Sequence, residues 1–307
     1  MPFRVVLELF AFLLGLVFGS FLNVCIARLP KGESVVRPRS RCPGCGHAIR
    51  WYDNVPLVSW LVLRGRCRDC GGRIAGWYPA VELGVGVWFW LAVAGVHLPA
   101  AASGEAWGTA VLGAIGFAVL GFLLIGLMAM DWQTGLLPDA FTGSGVAIGF
   151  LLVFARTIFL GRTEGQVILD TNHQLRLSSP GSFADQGNVF MTGPEAMILG
   201  RLAAVCGVAL LLLAIRAAYK AVRHRDGMGL GDVKMLAMIA AFLGFWPAIL
   251  ALFAGVVLAS GWAAMLLTRG RATATTRLAF GSFLGVGGLV VAMFGSRLID
   301  SYMALFR

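Results

Sequence analysis

A chain of 307 residues with 58% hydrophobic and only 13% charged side chains lies far from the ~25% charged fraction of soluble domains, which excludes a soluble core. Several apolar runs approach the ~20 residues needed to cross ~30 Å of hydrocarbon, and the 41 glycines suit such a chain because small residues let membrane helices approach closely. The formal charge of +10 is distributed between apolar runs, as a topology signal is, and this argues against nucleic acid as a partner.

The pattern predicts an all-α polytopic membrane protein with eight transmembrane helices, at roughly 5–27, 78–98, 106–130, 140–160, 196–218, 232–245, 247–268 and 278–300. The first span has Arg4 before it, but its apolar run is long for a signal peptide and its basic flank follows rather than precedes it. Segment 28–77 comes next, with ten basic residues against three acidic ones, so the positive-inside rule makes it cytoplasmic. It holds Cys42-Pro-Gly-Cys45 and Cys67-Arg-Asp-Cys70, separated by 21 residues. Two such pairs form a tetrahedral zinc site of the structural kind, since four sulfurs leave no open position for water. A reducing cytosol favours thiolates over the alternative of two disulfides. Cys25 and Cys206 fall in spans, as small packing residues.

Alternation of sides from this segment places 219–231 and 269–277, with Lys220, Arg223, Arg225, Arg269, Arg271 and Arg277, also inside. Segment 161–195, with two Arg and four acids, becomes a polar extracytoplasmic insert, and both termini fall outside. Within the insert, GQVILDTNHQLRLS alternates apolar and polar residues around Asp170-Thr171-Asn172, as a β-hairpin does. His173 has no metal partners in sequence. The sixth span is short, and its boundary near Phe245-Trp246-Pro247 is the least defined.

Two acids stand at the ends of apolar runs, where ionisable groups are rare and functional. Asp131 closes the third span, at the negative end of a helix dipole, which is the unfavourable end for a carboxylate. Asp232 follows Gly229-Leu230-Gly231 and opens the sixth. The dipoles favour the neutral acid at Asp131 and the anion at Asp232. A proton-sharing aspartate pair is the apparatus of an aspartic protease. Helix capping is the competing explanation for Asp232, and for Asp139, which follows Pro138 at the start of the fourth span, capping is the main one. Gly229 and Gly231 support the motif by leaving room for a substrate backbone beside the carboxylate, and Gly135 offers similar room near Asp131.

The segment CPGCGHAIRWYDNVPLVSWLVLRGRCRDCGGRIAGWYPAVE, with GSFLNVCIARLP before it and MDWQTGLLPD, GMGLGDVKMLA and AFGSFLG after it, resembles the bacterial type IV prepilin peptidases, membrane aspartic peptidases of the GxGD type. The resemblance covers nearly the whole chain. It implies an enzyme of the bacterial inner membrane that removes the short basic leader of type IV prepilins or secretion pseudopilins at the cytoplasmic face. It further implies methylation of the new N-terminus with S-adenosylmethionine. The family's catalytic aspartates fall on Asp131 and Asp232, and its zinc-binding cysteines on Cys42, Cys45, Cys67 and Cys70. No motif marks the methyl-donor site. Glu82 and Lys234 are interfacial charges to test for it, although capping or snorkelling explains them equally well.

Two other functions compete. A proton relay or transporter would place its acids near the midplane on interrupted helices, whereas these acids sit near one interface. A membrane-anchored zinc adaptor would leave the glycine–aspartate motif idle. One tension stands inside the favoured reading: segment 28–77 is strongly positive, yet it must admit substrates with basic leaders.

Overall fold

The computed structural model describes residues 2–96, 104–160, 167–169, 175–177, 194–224, 229–270 and 278–304. Its helices are α1 (Pro2–Arg28), α2 (Val58–Val62), α3 (Trp77–Ala94), α4 (Gly104–Thr134), α5 (Asp139–Leu160), α6 (Pro194–Arg223), α7 (Leu230–Leu243), α8 (Phe245–Thr268) and α9 (Phe280–Ala304). All but α2 fall on the eight predicted spans. Among the described residues, six are long and apolar enough to cross a membrane. The apolar part of α9, Phe280–Gly295, is shorter. Helix α7 has 14 residues, a rise of ~21 Å, less than the ~30 Å hydrocarbon thickness.

Strands β1 (Val167–Leu169) and β2 (Leu175–Leu177) pair antiparallel with Ile168 opposite Arg176, which is the hairpin expected from the alternating pattern. Its turn, with Asp170, Asn172 and His173, and the rest of 161–193 lie outside the described residues.

The chain divides into two compact units. The first comprises residues 1–97 and 117–138. In it, α1 and α3 pack antiparallel: Arg4 near the start of α1 donates to the carbonyl of Ala94 at the end of α3 (2.9 Å), and Asn23 near the end of α1 donates to the carbonyl of Tyr78 at the start of α3 (3.0 Å). Small residues set the close approach. A Cβ on Gly19 would stand 2.6 Å from the Glu82 Cα, and one on Gly15 would stand 2.7 Å from the Val85 carbonyl oxygen. The second half of α4 is fastened by Trp88, whose ring stacks on Phe117 at 4.3 Å and donates to its carbonyl at 2.7 Å. Gly121 leaves space for that ring, which any side chain there would strike.

The second unit comprises residues 98–116 and 139–307. Helix α7 packs against α5, α6, α8 and α9 and buries nine of its residues, from Asp232 to Ala241. A helix apolar on every side must be enclosed in this way. Gly149 of α5 admits it closely, since a Cβ there would stand 2.9 Å from the Ala241 Cβ. Gly244, with φ +95°, separates α7 from α8. Pro247 then sits in the first turn of α8, where its missing N–H costs no helix bond, and this resolves the boundary near Phe245-Trp246-Pro247.

Three expectations are refined. Helix α4 runs on to Thr134, so Asp131 lies in its last turn rather than beyond it. Gly135 is the residue that stops α4: its φ is +66° and its N–H bonds the Asp131 carbonyl at 2.8 Å, a left-handed C-terminal cap. Lys220 and Arg223 belong to the last turn of α6 rather than to a loop, at the dipole end that favours cations.

Candidate active site and metal centre

The four loop cysteines sit on two local repeats offset by 25 residues. In the first, the Cys42 N–H bonds the His47 carbonyl, the Gly46 N–H bonds the Cys42 carbonyl and the Ile49 N–H bonds the Ser40 carbonyl. In the second, Cys67, Gly71 and Ile74 make the equivalent bonds to Gly72, Cys67 and Gly65. Each turn closes through a glycine of positive φ, Gly46 at +73° and Gly71 at +67°. Short β-bridges, Arg41 with Ala48 and Arg66 with Arg73, close both turns. The four Sγ atoms lie within 4.8 Å of one another, with Cys42 and Cys70 at 3.8 Å. Sulfurs ~2.3 Å from a central zinc stand ~3.8 Å apart. Hydrogen bonds from the backbone N–H of Cys45 and then of Gly44 bring the Cys42 thiol down to about 7, while burial and the neighbouring thiols push Cys45 up. The donor set and spacing fit a structural zinc, and the cluster matches the zinc-binding domain expected from the sequence.

The rest of this segment is held by two carboxylates. Asp53 receives Arg68 Nε and Nη2 at 2.6–3.1 Å. These bonds hold its carboxyl below the usual carboxylate range. Glu82 accepts the N–H of Leu57 at 2.8 Å. Leu57 has φ +59° and is the centre of a γ-turn, the Val58 N–H bonding the Pro56 carbonyl at 2.6 Å, a rare conformation for a side-chain-bearing residue. Neither role was legible in the sequence.

A cavity of about 510 Å³ opens between these turns and the ends of α1 and α3. Asn23, Asp53, Trp60, Trp77, Tyr78 and Glu82 are among its lining residues, and Lys234 is not. Asn23 is 5% exposed, and its Oδ1 has no hydrogen-bond partner among the described residues. A buried acceptor left without a donor costs ~1–3 kcal/mol, which marks this wall as built to meet a donor.

Asp131 and Asp232 are 6% and 8% exposed, and among the described residues they are the only buried carboxylates. Each belongs to a different compact unit. Asp131 lies one turn from the end of α4, and Asp232 is the third residue of α7, after Gly229 at the N-cap. A Cβ on Gly229 would stand 3.5 Å from Asp232 Oδ2, an ordinary contact distance. Asp139 does open α5, as expected, but its carboxylate also meets Lys234 Nζ at 2.6 Å. No local pattern could show a partner 95 residues away.

Residues 13–96 match the bacterial peptidase A24 N-terminal domain, and residues 183–264 match the type IV leader peptidase family. A prepilin leader peptidase/N-methyltransferase of Burkholderia pseudomallei is 32% identical over 317 residues, which cover 94% of this chain and 85% of that protein. The chain belongs to the type IV leader peptidase family. A Myxococcus xanthus protein of the same description is 35% identical over 268 residues, covering 86% of this chain. The chain spans 64% of that protein's length, less than two thirds. Another, from Stutzerimonas stutzeri, is 29% identical over 323 residues, covering 97% of this chain and 94% of that protein. No solved structure matches. The first matched range holds the four cysteines, Asn23 and Glu82, and the second holds Asp232 and Lys234. Asp131 lies between the two.

Proposed function

We propose that this protein removes the basic leader of type IV prepilins or pseudopilins at the cytoplasmic face of the bacterial inner membrane. In this reading Asp131 and Asp232 are the catalytic carboxylates, and the enzyme then methylates the new N-terminal amine with S-adenosylmethionine. The observation that carries it is that two acids of an apolar chain are buried at helix ends, where charge is retained only for a function. Asp232 accepts a proton from water as the water oxygen attacks the scissile carbonyl carbon, and Asp131 protonates the carbonyl oxygen. The C–N bond then breaks as the departing amine takes the proton held by Asp232, and a hydroxyl of the tetrahedral intermediate returns a proton to Asp131 as the carboxyl product forms. Helix dipoles assist this division, the N-terminus of α7 favouring the anion and the C-terminus of α4 the neutral acid.

The methyl donor belongs in the cavity of the first unit. S-adenosylmethionine supplies an electrophilic methyl on a sulfonium. The Trp60, Trp77 and Tyr78 rings suit its purine and its cation, Glu82 supplies negative charge, and Asn23 Oδ1 offers an acceptor. Of the two charges singled out in the sequence, Glu82 is thus retained and Lys234 set aside as the partner of Asp139. The zinc at Cys42, Cys45, Cys67 and Cys70 stiffens the cavity wall and takes no part in either reaction. Asn23→Ala is expected to weaken donor binding, read by calorimetry or photo-crosslinking of the donor, while leader removal persists.

The deciding experiment compares the wild type with Asp131→Asn and Asp232→Asn on a model prepilin in liposomes, recording the N-terminal mass of the product. Cleavage by the wild type and loss of at least ~10³-fold in each variant supports two catalytic aspartates. Retained cleavage in either variant refutes its assignment.

A further inference from the structure

Helix α2 lies outside the membrane-spanning helices, yet it turns an apolar side outward. Val58, Leu61 and Val62 stand at i, i+3 and i+4 on one face, and all three are exposed, Leu61 to 66% and Val62 to 69%. The opposite side is committed to its own domain. Ser59 is buried, donates to the Tyr52 carbonyl at 2.9 Å and accepts the Val55 N–H at 2.9 Å. Trp60 Nε1 donates to the Ile74 carbonyl at 3.2 Å. A helix on the surface of a soluble domain shows polar residues outward and apolar ones inward, and α2 reverses the outer half of that rule. Ser59 also ties α2 to the turn Trp51–Asn54, which exposes Trp51 to 82%. Arg64 and Arg66 follow α2 and are exposed.

We propose that this face is a membrane-docking surface: α2 and Trp51 insert shallowly into the anionic bilayer beside α1 and α3, with Arg64 and Arg66 on lipid phosphates. Two observations select the bilayer as the occupant. The first is continuity. The segment leaves the spanning helix α1 at Arg28 and re-enters α3 at Trp77 and Tyr78. That aromatic pair, stacked at 4.1 Å, is of the kind found at membrane–water interfaces. The domain is therefore tethered at both ends to the surface it would touch. The second is charge. Ten basic residues against three acidic ones over 28–77 match an anionic surface, and an apolar face with Trp and Leu beside arginines is the composition of interfacial helices. Docking also reduces the tension with basic leaders, because the two arginines engaged by phosphates no longer repel an incoming cation.

The test uses the full-length protein in nanodiscs of phosphatidylcholine, with or without an equal part of phosphatidylglycerol. A photoreactive benzoylphenylalanine replaces Leu61, or, as a control, Leu210, an exposed side chain on α6. After irradiation, lipid adducts are expected at both positions, and at 61 severalfold more in the phosphatidylglycerol discs. Arg64→Gln with Arg66→Gln should abolish that difference. In parallel, Trp51→Phe should remove part of the quenching of tryptophan fluorescence by brominated lipid. Adducts at 210 alone, cross-links from 61 to a second copy or to added prepilin in place of lipid, or equal labelling at 61 in both discs would overturn the proposal. So would quenching unchanged by Trp51→Phe.

Discussion

Asp53 shows how a single side chain ties this molecule to pH. Arg68 donates to both of its oxygens, and the folded-state carboxyl titrates below its ordinary value. A depressed carboxylate contributes stability that is present above the unfolded pKa, ~3.9, and is lost as pH falls through the folded pKa. Asp53→Asn should therefore lower the protection of segment 28–77 against proteolysis at neutral pH and narrow its gap from wild type under strong acid. A constant gap across pH would refute the linkage. Lys234 and Asp139 form the contrasting pair. Their side chains are 47% and 76% exposed, and exposed pairs contribute only ~0–1 kcal/mol. Lys234→Met should shift the melting temperature little and leave donor binding intact, whereas Glu82→Gln should weaken that binding. The cysteines and both aspartates were legible in sequence because their signals are local: ligand spacing in one case, charge against an apolar background in the other. The bond of Glu82 to Leu57 and the unmet Asn23 oxygen were not, because each depends on what the fold brings alongside.

At the scale of elements, glycine positions divide into those that set helix distance and those that do not. A Cβ on Gly19 would meet Glu82 backbone at 2.6 Å, while one on Gly84 would meet nothing within 4 Å. Gly19→Ala should destabilise by ~1–3 kcal/mol, the usual cost of overpacking, and Gly84→Ala should be neutral or slightly stabilising, both read as thermal midpoints in detergent. Similar losses in both variants would remove the close α1–α3 contact as the explanation. Hydropathy located the long helices because each carries a sustained apolar run. It could not show that α7, whose residues are just as apolar, packs against four other helices. Nine of its 14 residues are buried, Asp232 near the helix start among them.

At the scale of the whole molecule, the two cysteine turns lie 21 residues apart in sequence, and the fold brings their four Sγ atoms within 4.8 Å of one another. Cys67→Ser should abolish stoichiometric zinc, measured by mass spectrometry of metal content, and should loosen the cavity before it affects the spanning helices. Unchanged zinc would refute the tetracysteine site. The sequence by itself determined the membrane class, the two cysteine pairs, the family and the two acids. All of these depend on composition or on residues within a few positions of one another, where chain geometry leaves little choice. Only the tertiary structure decided that α7 is enclosed, that Asp139 faces Lys234, that Glu82 holds a γ-turn beside a cavity, and that α2 presents its apolar face outward. Each of these is a pairing between distant segments. Hydropathy and spacing record how strongly a residue avoids water, but not which neighbour it meets when it does.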